Sequence, residues 1–190
     1  MKERLSHLSH IDRVSFRAKT TQSFVKKVFP PDEPRRYEFP FAEVEDQIGG
    51  RVLTFFGQDI PRVLAELQNR FKPVEATHKA PKGVSEFDYE TDHLICVIPP
   101  DLLPARWQDF EDMPTTFEMQ VRTLFMHAWA EPQHDLLYKG RSELPIQIRR
   151  ELHWAAASAW GADHALSRVL EWVQKQQERE REANDDSSSP

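Results

Sequence analysis

The chain has 190 residues, 39% of them apolar and 29% charged, which is typical of one globular core with at most a small appendage. No apolar run approaches the roughly 20 residues that span a bilayer, the N-terminus lacks the apolar segment of a signal peptide, and the single cysteine cannot form an internal disulfide, so we expect a cytoplasmic protein without a membrane partner. The net charge of −6 argues against broad, non-specific binding of nucleic acid.

The predicted elements begin with a helix over residues 14–28, for which Ser15 is a candidate cap and in which Phe16, Val25 and Val28 would supply buried contacts. A proline-rich loop over 29–34 ends this helix. Basic residues crowd this first part of the chain, so a local basic groove is compatible with the negative net charge.

A strand and a helix come next in the predicted order. The strand covers residues 51–56, after a turn at Gly49 and Gly50. The helix begins at Ile60, and Pro61 suits its first turn. Its apolar residues repeat at the i, i+3, i+4 and i+7 positions of an amphipathic helix. They are Ile60, Val63, Leu64, Leu67 and Phe71.

Three more strands are predicted in the second half of the chain. They cover residues 74–78, 93–98 and 115–122. The last of them leads into a helix over 124–131, which is predicted to be interrupted at Pro132.

The C-terminal part is predicted to be helical from Pro145 to about Ala183, and residues 184–190 are predicted to be a disordered tail. We therefore expect a main domain over 1–144 and a helical extension over 145–183 that packs on it. The residues predicted to form the buried side of the extension are Ile148, Leu152, Ala156, Trp160, Leu166, Val169, Leu170 and Val173.

The strand over 115–122 is predicted to have one apolar side and one polar side, because side chains alternate along a strand. The apolar side consists of Phe117, Met119 and Val121, and the polar side of Glu118, Gln120 and Arg122. A carboxylate, an amide and a guanidinium in line are typical of a site for metal and phosphate. A plainer role for Glu118 is an ion pair with Arg122.

A second carboxylate, Asp46, precedes the strand over 51–56. Two acids on two strands of one sheet can share a divalent cation, and Mg²⁺ prefers one or two carboxylates together with phosphate oxygens and water. The sequence therefore predicts a magnesium site at Asp46 and Glu118. For Asp46 alone, a turn aspartate that stabilises its own backbone is the plainer alternative.

Donors for phosphate oxygens are predicted near the start of the chain. Arg17, Lys19, Ser23 and Lys27 would lie along a helix start and its first turns, which suits a triphosphate. A solvated basic face is the plainer alternative. Lys79 and Lys82 could close over the same phosphates from a later loop, and a plain surface lysine is the alternative for each.

Tyr89 and His93 lie at the start of the strand over 93–98. The tyrosine could stack on a base or pack on the edge of the core, and the histidine could donate to a phosphate or a hydroxyl. The sequence contains no HExxH array, which argues against a zinc site. It contains no GxxxxGK[ST] loop, which excludes a P-loop enzyme.

Together, four blocks in this order resemble the synthetase domain of the RelA/SpoT family, the enzymes that make the alarmones ppGpp and pppGpp. The blocks are Arg17 to Lys27, similar to RxKxxxSxxxK; Asp46 to Val52, similar to DxxGxRV; Tyr89 to His93, similar to YxSxH; and Phe117 to Thr123, similar to ExQxRT. The stretches over 127–131 and 134–139 resemble the HAWAE and HxxxYK continuation.

The resemblance implies an α/β (α+β) fold, with a mixed sheet flanked by helices and related to the nucleotidyltransferases. It implies transfer of pyrophosphate from ATP to the 3′-hydroxyl of a guanine nucleotide, with release of AMP. By position, Asp46 would hold magnesium, and Glu118 would bind the metal or activate the attacking hydroxyl. The ATP-binding residues that the resemblance implies are Arg17, Lys19, Ser23, Lys27 and Arg51, and the acceptor-binding residues are Lys82, Tyr89, His93 and Gln120.

The acceptor element departs from the family pattern, because Asp88 and Thr91 stand where glycine and serine are usual. Two alternatives to a small alarmone synthetase therefore stay open. One is a toxin of the same family that pyrophosphorylates the 3′ end of tRNA and is held by an antitoxin protein. The other is a non-catalytic nucleotide-binding module with the C-terminal helix as its partner surface. That helix could also mediate self-association into a homo-oligomer.

Overall fold

The fold is centred on a mixed five-stranded sheet with the strand order β1-β2-β5-β4-β3. The computed structural model describes residues 5, 7–30, 34, 36–81, 83, 87, 90–110, 112–139 and 144–187. The strands are β1 (Ile11–Ala18), β2 (Ile48–Thr54), β3 (Glu75–Lys79), β4 (Thr91–Val97) and β5 (Thr116–Thr123). β2 and β5 are parallel, and the other neighbouring pairs are antiparallel. The mixed sheet with flanking helices confirms the predicted fold class.

The helices are α1 (Thr21–Val28), the short α2 (Pro40–Glu43), α3 (Ile60–Phe71), α4 (Leu124–Lys139) and α5 (Ile146–Ser187). The four strands predicted from the sequence are confirmed, with ends shifted by no more than three residues. The helix predicted from Ile60 is also confirmed, and its buried residues Val63, Leu67 and Phe71 join the main core beneath the sheet.

The helix predicted over 14–28 is wrong in its first half, which forms most of β1. This strand pairs with β2 from Ile11 opposite Thr54 to Ala18 opposite Ile48, so its backbone hydrogen bonds are made between strands. α1 then begins after Thr20, whose Oγ1 accepts a hydrogen bond from the backbone N–H of Ser23. Pairing with β2 therefore outweighs the local helical pattern.

The sequence predicted an interruption of α4 at Pro132, but the helix continues through this residue. A proline inside a helix costs one backbone hydrogen bond. Packing against α5 offsets this loss, and the indole N–H of Trp129 also donates to the carbonyl of Leu152 at 3.2 Å. The buried residues of this contact are Met126, Trp129, Ala130, Ala156 and Ala159.

α5 is longer and more exposed than predicted. It extends to Ser187, so part of the stretch predicted to be a disordered tail is helical. Ala156 is buried as expected, but Val169 is 57% exposed and Trp160 is 41% exposed. The physical reason is that α5 lies mainly along α4 and the turn at Gly57–Asp59, so the rest of its apolar side is not covered by described elements. Among the described residues, no helix is both long and apolar enough to cross a membrane.

Gly50 in β2 is placed where a side chain does not fit. A Cβ there would lie 2.6 Å from Cε of Met119 and 2.7 Å from Cε1 of Phe16, whereas a Cβ on the neighbouring Gly49 would lie 3.8 Å from Cγ of Arg17. We expect Gly50→Ala to lower the free energy of unfolding by about 1–3 kcal/mol and Gly49→Ala to change it much less. Urea denaturation of both variants tests this, and equal losses would contradict it.

Candidate active site

A cavity of about 160 Å³ opens between the ends of three strands. It is lined by Ser15, Phe16 and Arg17 from β1, by Asp46, by Gly49, Gly50 and Arg51 from β2, and by Glu118 and Gln120 from β5. Five of the residues predicted as site residues therefore meet in one place. They are Arg17, Asp46, Arg51, Glu118 and Gln120.

The parallel pairing of β2 and β5 brings the two predicted acids to the same cavity. Gly49 lies directly opposite Glu118 in the sheet, and Asp46 lies three residues earlier, on the 3₁₀ turn Glu45–Gln47 that contacts β5. Gly49 has no side chain, so space remains between the turn and the strand. Asp46 also acts on Glu118 electrostatically, because its negative charge opposes ionisation of Glu118. Asp46 and Glu118 therefore line the same cavity, as the sequence predicted.

Asp46 is held between two lysines. Nζ of Lys19 donates to Oδ2 at 2.7 Å, and Nζ of Lys27 donates to Oδ1 at 2.8 Å. Burial would raise the pKa of Asp46, but the hydrogen bonds from Lys19 and Lys27 hold that pKa below its usual value. The carboxylate is therefore ionised at neutral pH. The two ammonium groups stand beside the cavity, where they can also meet phosphate oxygens.

Glu118 is held by two neighbours on the same face of the sheet. Its Oε1 lies 2.6 Å from Nδ1 of His93 on β4, and its Oε2 accepts a hydrogen bond from Nε2 of Gln120 at 2.9 Å. Burial would raise the pKa of Glu118, but the hydrogen bonds from His93 and Gln120 hold it below its usual value. Glu118 and Gln120 thus share one side of β5, as the alternation predicted.

Arg122 does not extend this polar row into the cavity. Its side chain is only 2% exposed, and its Nη2 donates to Oε1 of Glu131 at 2.7 Å. Nη1 of Arg51 lies 2.8 Å from the same oxygen. Glu131 therefore fixes the position of Arg51, which lines the cavity. Burial and the positive charges of Arg122 and Arg51 lower the pKa of His127, whose Nδ1 lies 3.4 Å from Nη1 of Arg51.

The sequence patterns gave no role to His127 or Glu131, and they placed Arg122 in the polar row or in an ion pair with Glu118, whereas the structure pairs Arg122 with Glu131. His127 and Glu131 are four residues apart on α4, so they face the same side of the helix. That spacing, directly after the β5 row, was a usable indication. The choice of Arg51 as their partner depends on how α4 packs over β2, which local spacing does not give.

The other predicted residues are placed as follows. Ser23 lies at the start of α1, where its Oγ accepts a hydrogen bond from Oγ1 of Thr20 at 2.9 Å, and it does not line the cavity of the described residues. Lys82 and Tyr89 lie outside the described residues. Thr91, which replaces the usual serine, is buried and donates to the carbonyl of Val121 at 3.2 Å. Its hydroxyl therefore forms a hydrogen bond to the neighbouring strand of the sheet.

Comparison with known proteins gives consistent results. The family model described as the region found in RelA/SpoT proteins matches residues 16–143. The GTP pyrophosphokinase YjbM of Bacillus subtilis is 29% identical over 179 residues, covering 89% of this chain and 76% of the relative.

Solved structures agree with the fold. The crystal structure of small alarmone synthetase 1 from Bacillus subtilis superposes with a TM-score of 0.73 at 26% identity, covering 90% of this chain and 86% of that one. The structure of the same synthetase bound to its product pppGpp gives a TM-score of 0.69 at 26% identity, covering 91% and 85% of the two chains.

Proposed function

The chain belongs to the RelA/SpoT family, and we propose that it is a GTP pyrophosphokinase that transfers pyrophosphate from ATP to the 3′-hydroxyl of GDP or GTP. The products are ppGpp or pppGpp and AMP. The observation that supports this most directly is the meeting of Asp46 and Glu118, both ionised, at one cavity that is also lined by Arg17 and Arg51. A non-catalytic nucleotide-binding module has no need for two acids beside a phosphate site.

The donor set at this cavity fits magnesium. Mg²⁺ binds hard oxygen ligands and is usually held by one or two carboxylates together with substrate phosphates. Asp46 and Glu118 would hold the ion, which would neutralise negative charge on the phosphates. Among the described residues no group of three or more acids, histidines or cysteines could hold a metal alone.

The basic residues around the cavity would bind ATP. Lys19 and Lys27 stand on either side of Asp46, so they can meet phosphate oxygens once the carboxylate turns to the metal. Arg17 would lie against the adenine, and Arg51 would contact phosphate from the position that Glu131 fixes. Ser23 would donate from the start of α1.

The acceptor would enter beside Glu118. His93 and Gln120 hold this carboxylate and would steady the 3′-hydroxyl, while Tyr89 would stack on the guanine and Lys82 would help to bind its phosphates. Attack of the hydroxyl oxygen on the β-phosphorus of ATP forms a new P–O bond, and the bond to the α-phosphate oxygen breaks to release AMP. The work of the protein is positioning and neutralisation of charge.

A second acceptor, the 3′ end of tRNA, is favoured by one observation. Asp88 and Thr91 replace the usual residues of the acceptor element, and Thr91 is committed to the sheet. In that case the chain would be a toxin, and we would expect an antitoxin partner. Residence in the cytoplasm, a homo-oligomer, and the division into a domain at 1–144 and an extension at 145–183 are further proposals.

One assay decides between these functions. Purified protein is incubated with Mg²⁺ and ATP plus GDP, GTP or bulk tRNA, and AMP and pyrophosphorylated products are separated by chromatography. We expect AMP and a guanosine 3′-pyrophosphate to form in equal amounts. Labelled phosphate on tRNA, with none on the guanine nucleotides, would favour the toxin. No transfer to any acceptor would favour the binding module.

A further inference from the structure

A second, larger cavity lies apart from the candidate active site. Its volume is about 460 Å³, within the range of small-molecule sites. It is formed between the start of α3, the start of β4, the end of β5 and the middle of α5. Among the described residues, it shares no lining residue with the cavity at Asp46 and Glu118. Nothing in the proposed reaction uses it.

One wall of this cavity is aromatic. The rings of Trp160 and His164 on α5 lie with their centres 3.7 Å apart, and the ring of Phe87 packs edge-on against Trp160. Trp160 is nevertheless 41% exposed, so its ring is available to a bound molecule. The face of an indole attracts cations.

Asp163, next to this wall, has a buried carboxylate with one oxygen that accepts no hydrogen bond from the described residues. It is only 8% exposed, and its Oδ2 accepts a hydrogen bond from Oγ1 of Thr123 at 2.5 Å. Within the described residues, Oδ1 of Asp163 and Oε1 of Gln58 are both buried in the cavity wall without a hydrogen-bond donor. Two buried acceptors without donors favour a ligand that supplies N–H groups.

The charge of the cavity favours a cation. Glu90 also lines it, and burial, together with the negative charge of Glu90, raises the pKa of Asp163 to about 6. Other charged groups of the wall are engaged locally, because Arg122 pairs with Glu131 at 2.7 Å and His78 pairs with Asp92 at 2.9 Å. The two buried acceptors without donors, rather than these pairs, are therefore the groups that N–H donors of a bound molecule would satisfy.

We propose that this cavity binds a small organic cation, in which a guanidinium or ammonium group meets Oδ1 of Asp163 and a short carbon body lies against Trp160. The guanidinium group fits best, since its planar N–H groups can reach Asp163 and Gln58 together. The occupant is a free small molecule, because the space is of small-molecule size.

Calorimetric titration with butylguanidinium and with butylurea tests this proposal. The two molecules share their shape and several N–H groups, but only the first is charged. At a pH of about 7.5, which lies above the raised pKa of Asp163 of about 6, we expect butylguanidinium to bind with a dissociation constant below about 10 mM and butylurea to bind at least about tenfold more weakly. Equal binding of both molecules, or binding of neither, overturns the proposal.

Three variants locate the binding. Asp163→Asn keeps the acceptor for Thr123 but loses the charge, and it should weaken butylguanidinium binding at least about tenfold. Trp160→Leu should weaken it as well, which keeps the test valid if the first variant folds poorly. Asp46→Asn, in the other cavity, should bind butylguanidinium as tightly as the unaltered protein does. Loss of binding in Asp46→Asn, with no loss in Asp163→Asn, would place the cation in the other cavity and refute the proposal.

Discussion

Asp46→Asn is expected to lower kcat on the order of 10³-fold, because the variant keeps the shape of the side chain but loses the charge that would hold magnesium. The same change should weaken binding of a non-hydrolysable ATP analogue in the presence of Mg²⁺ and have little effect in its absence. Formation of AMP measures the rate, and calorimetry measures the binding. Asp109→Asn, an exposed aspartate that pairs with Arg106 at 2.8 Å, is the matched control.

The same variant has a predicted effect on stability, and its sign follows from the pKa of Asp46. Because that pKa lies below its usual value of 3.8, the hydrogen bonds to Lys19 and Lys27 stabilise the fold above pH 3.8 and are lost as the pH falls through the lowered pKa. Asp46→Asn should therefore lose roughly 1–3 kcal/mol of stability at neutral pH, with a difference that narrows in acid. A kcat that stays normal while stability falls would make Asp46 structural.

The two acids were predictable because each belongs to a short local pattern. Alternation along β5 puts Glu118 and Gln120 on one side and Met119 on the other, and burial follows this order. Asp46 was predicted from its place before an apolar strand. Asp46 and Glu118 come together only because β2 and β5 are neighbouring strands. This pairing joins distant segments of the chain and cannot be predicted from either local pattern.

The errors come from places where distant contacts override local preference. Residues 14–18 were predicted to be helical but form a strand, since β2 supplies partners for their backbone groups. Arg122 was predicted to join the polar row. It pairs instead with Glu131 on α4, and its guanidinium group is buried. Trp160 was predicted to be buried, but the described elements cover only one stretch of the long α5.

Glu118→Gln is expected to lower kcat by about 10²–10³-fold and, although it removes one proposed magnesium ligand, to weaken the binding of ATP less than Asp46→Asn does. The carboxylate is hydrogen-bonded to His93 and Gln120, whereas Lys19 and Lys27 donate to Asp46, and this difference in partners is why we propose that Glu118 serves the acceptor. A glutamine fills the same space but can neither share a cation nor accept the proton of the attacking hydroxyl. The two acids are thus expected to differ in their effect on ATP affinity.

Single-turnover transfer from ATP to GDP, measured beside equilibrium binding of the ATP analogue, separates these effects. Glu178→Gln on the exposed end of α5 is the control for the loss of a glutamate charge. Equal losses of ATP affinity in Asp46→Asn and Glu118→Gln would mean that both acids serve the donor alone. Retention of full transfer by Glu118→Gln would remove Glu118 from the reaction, because its role was proposed on the expectation that the acceptor hydroxyl enters beside it.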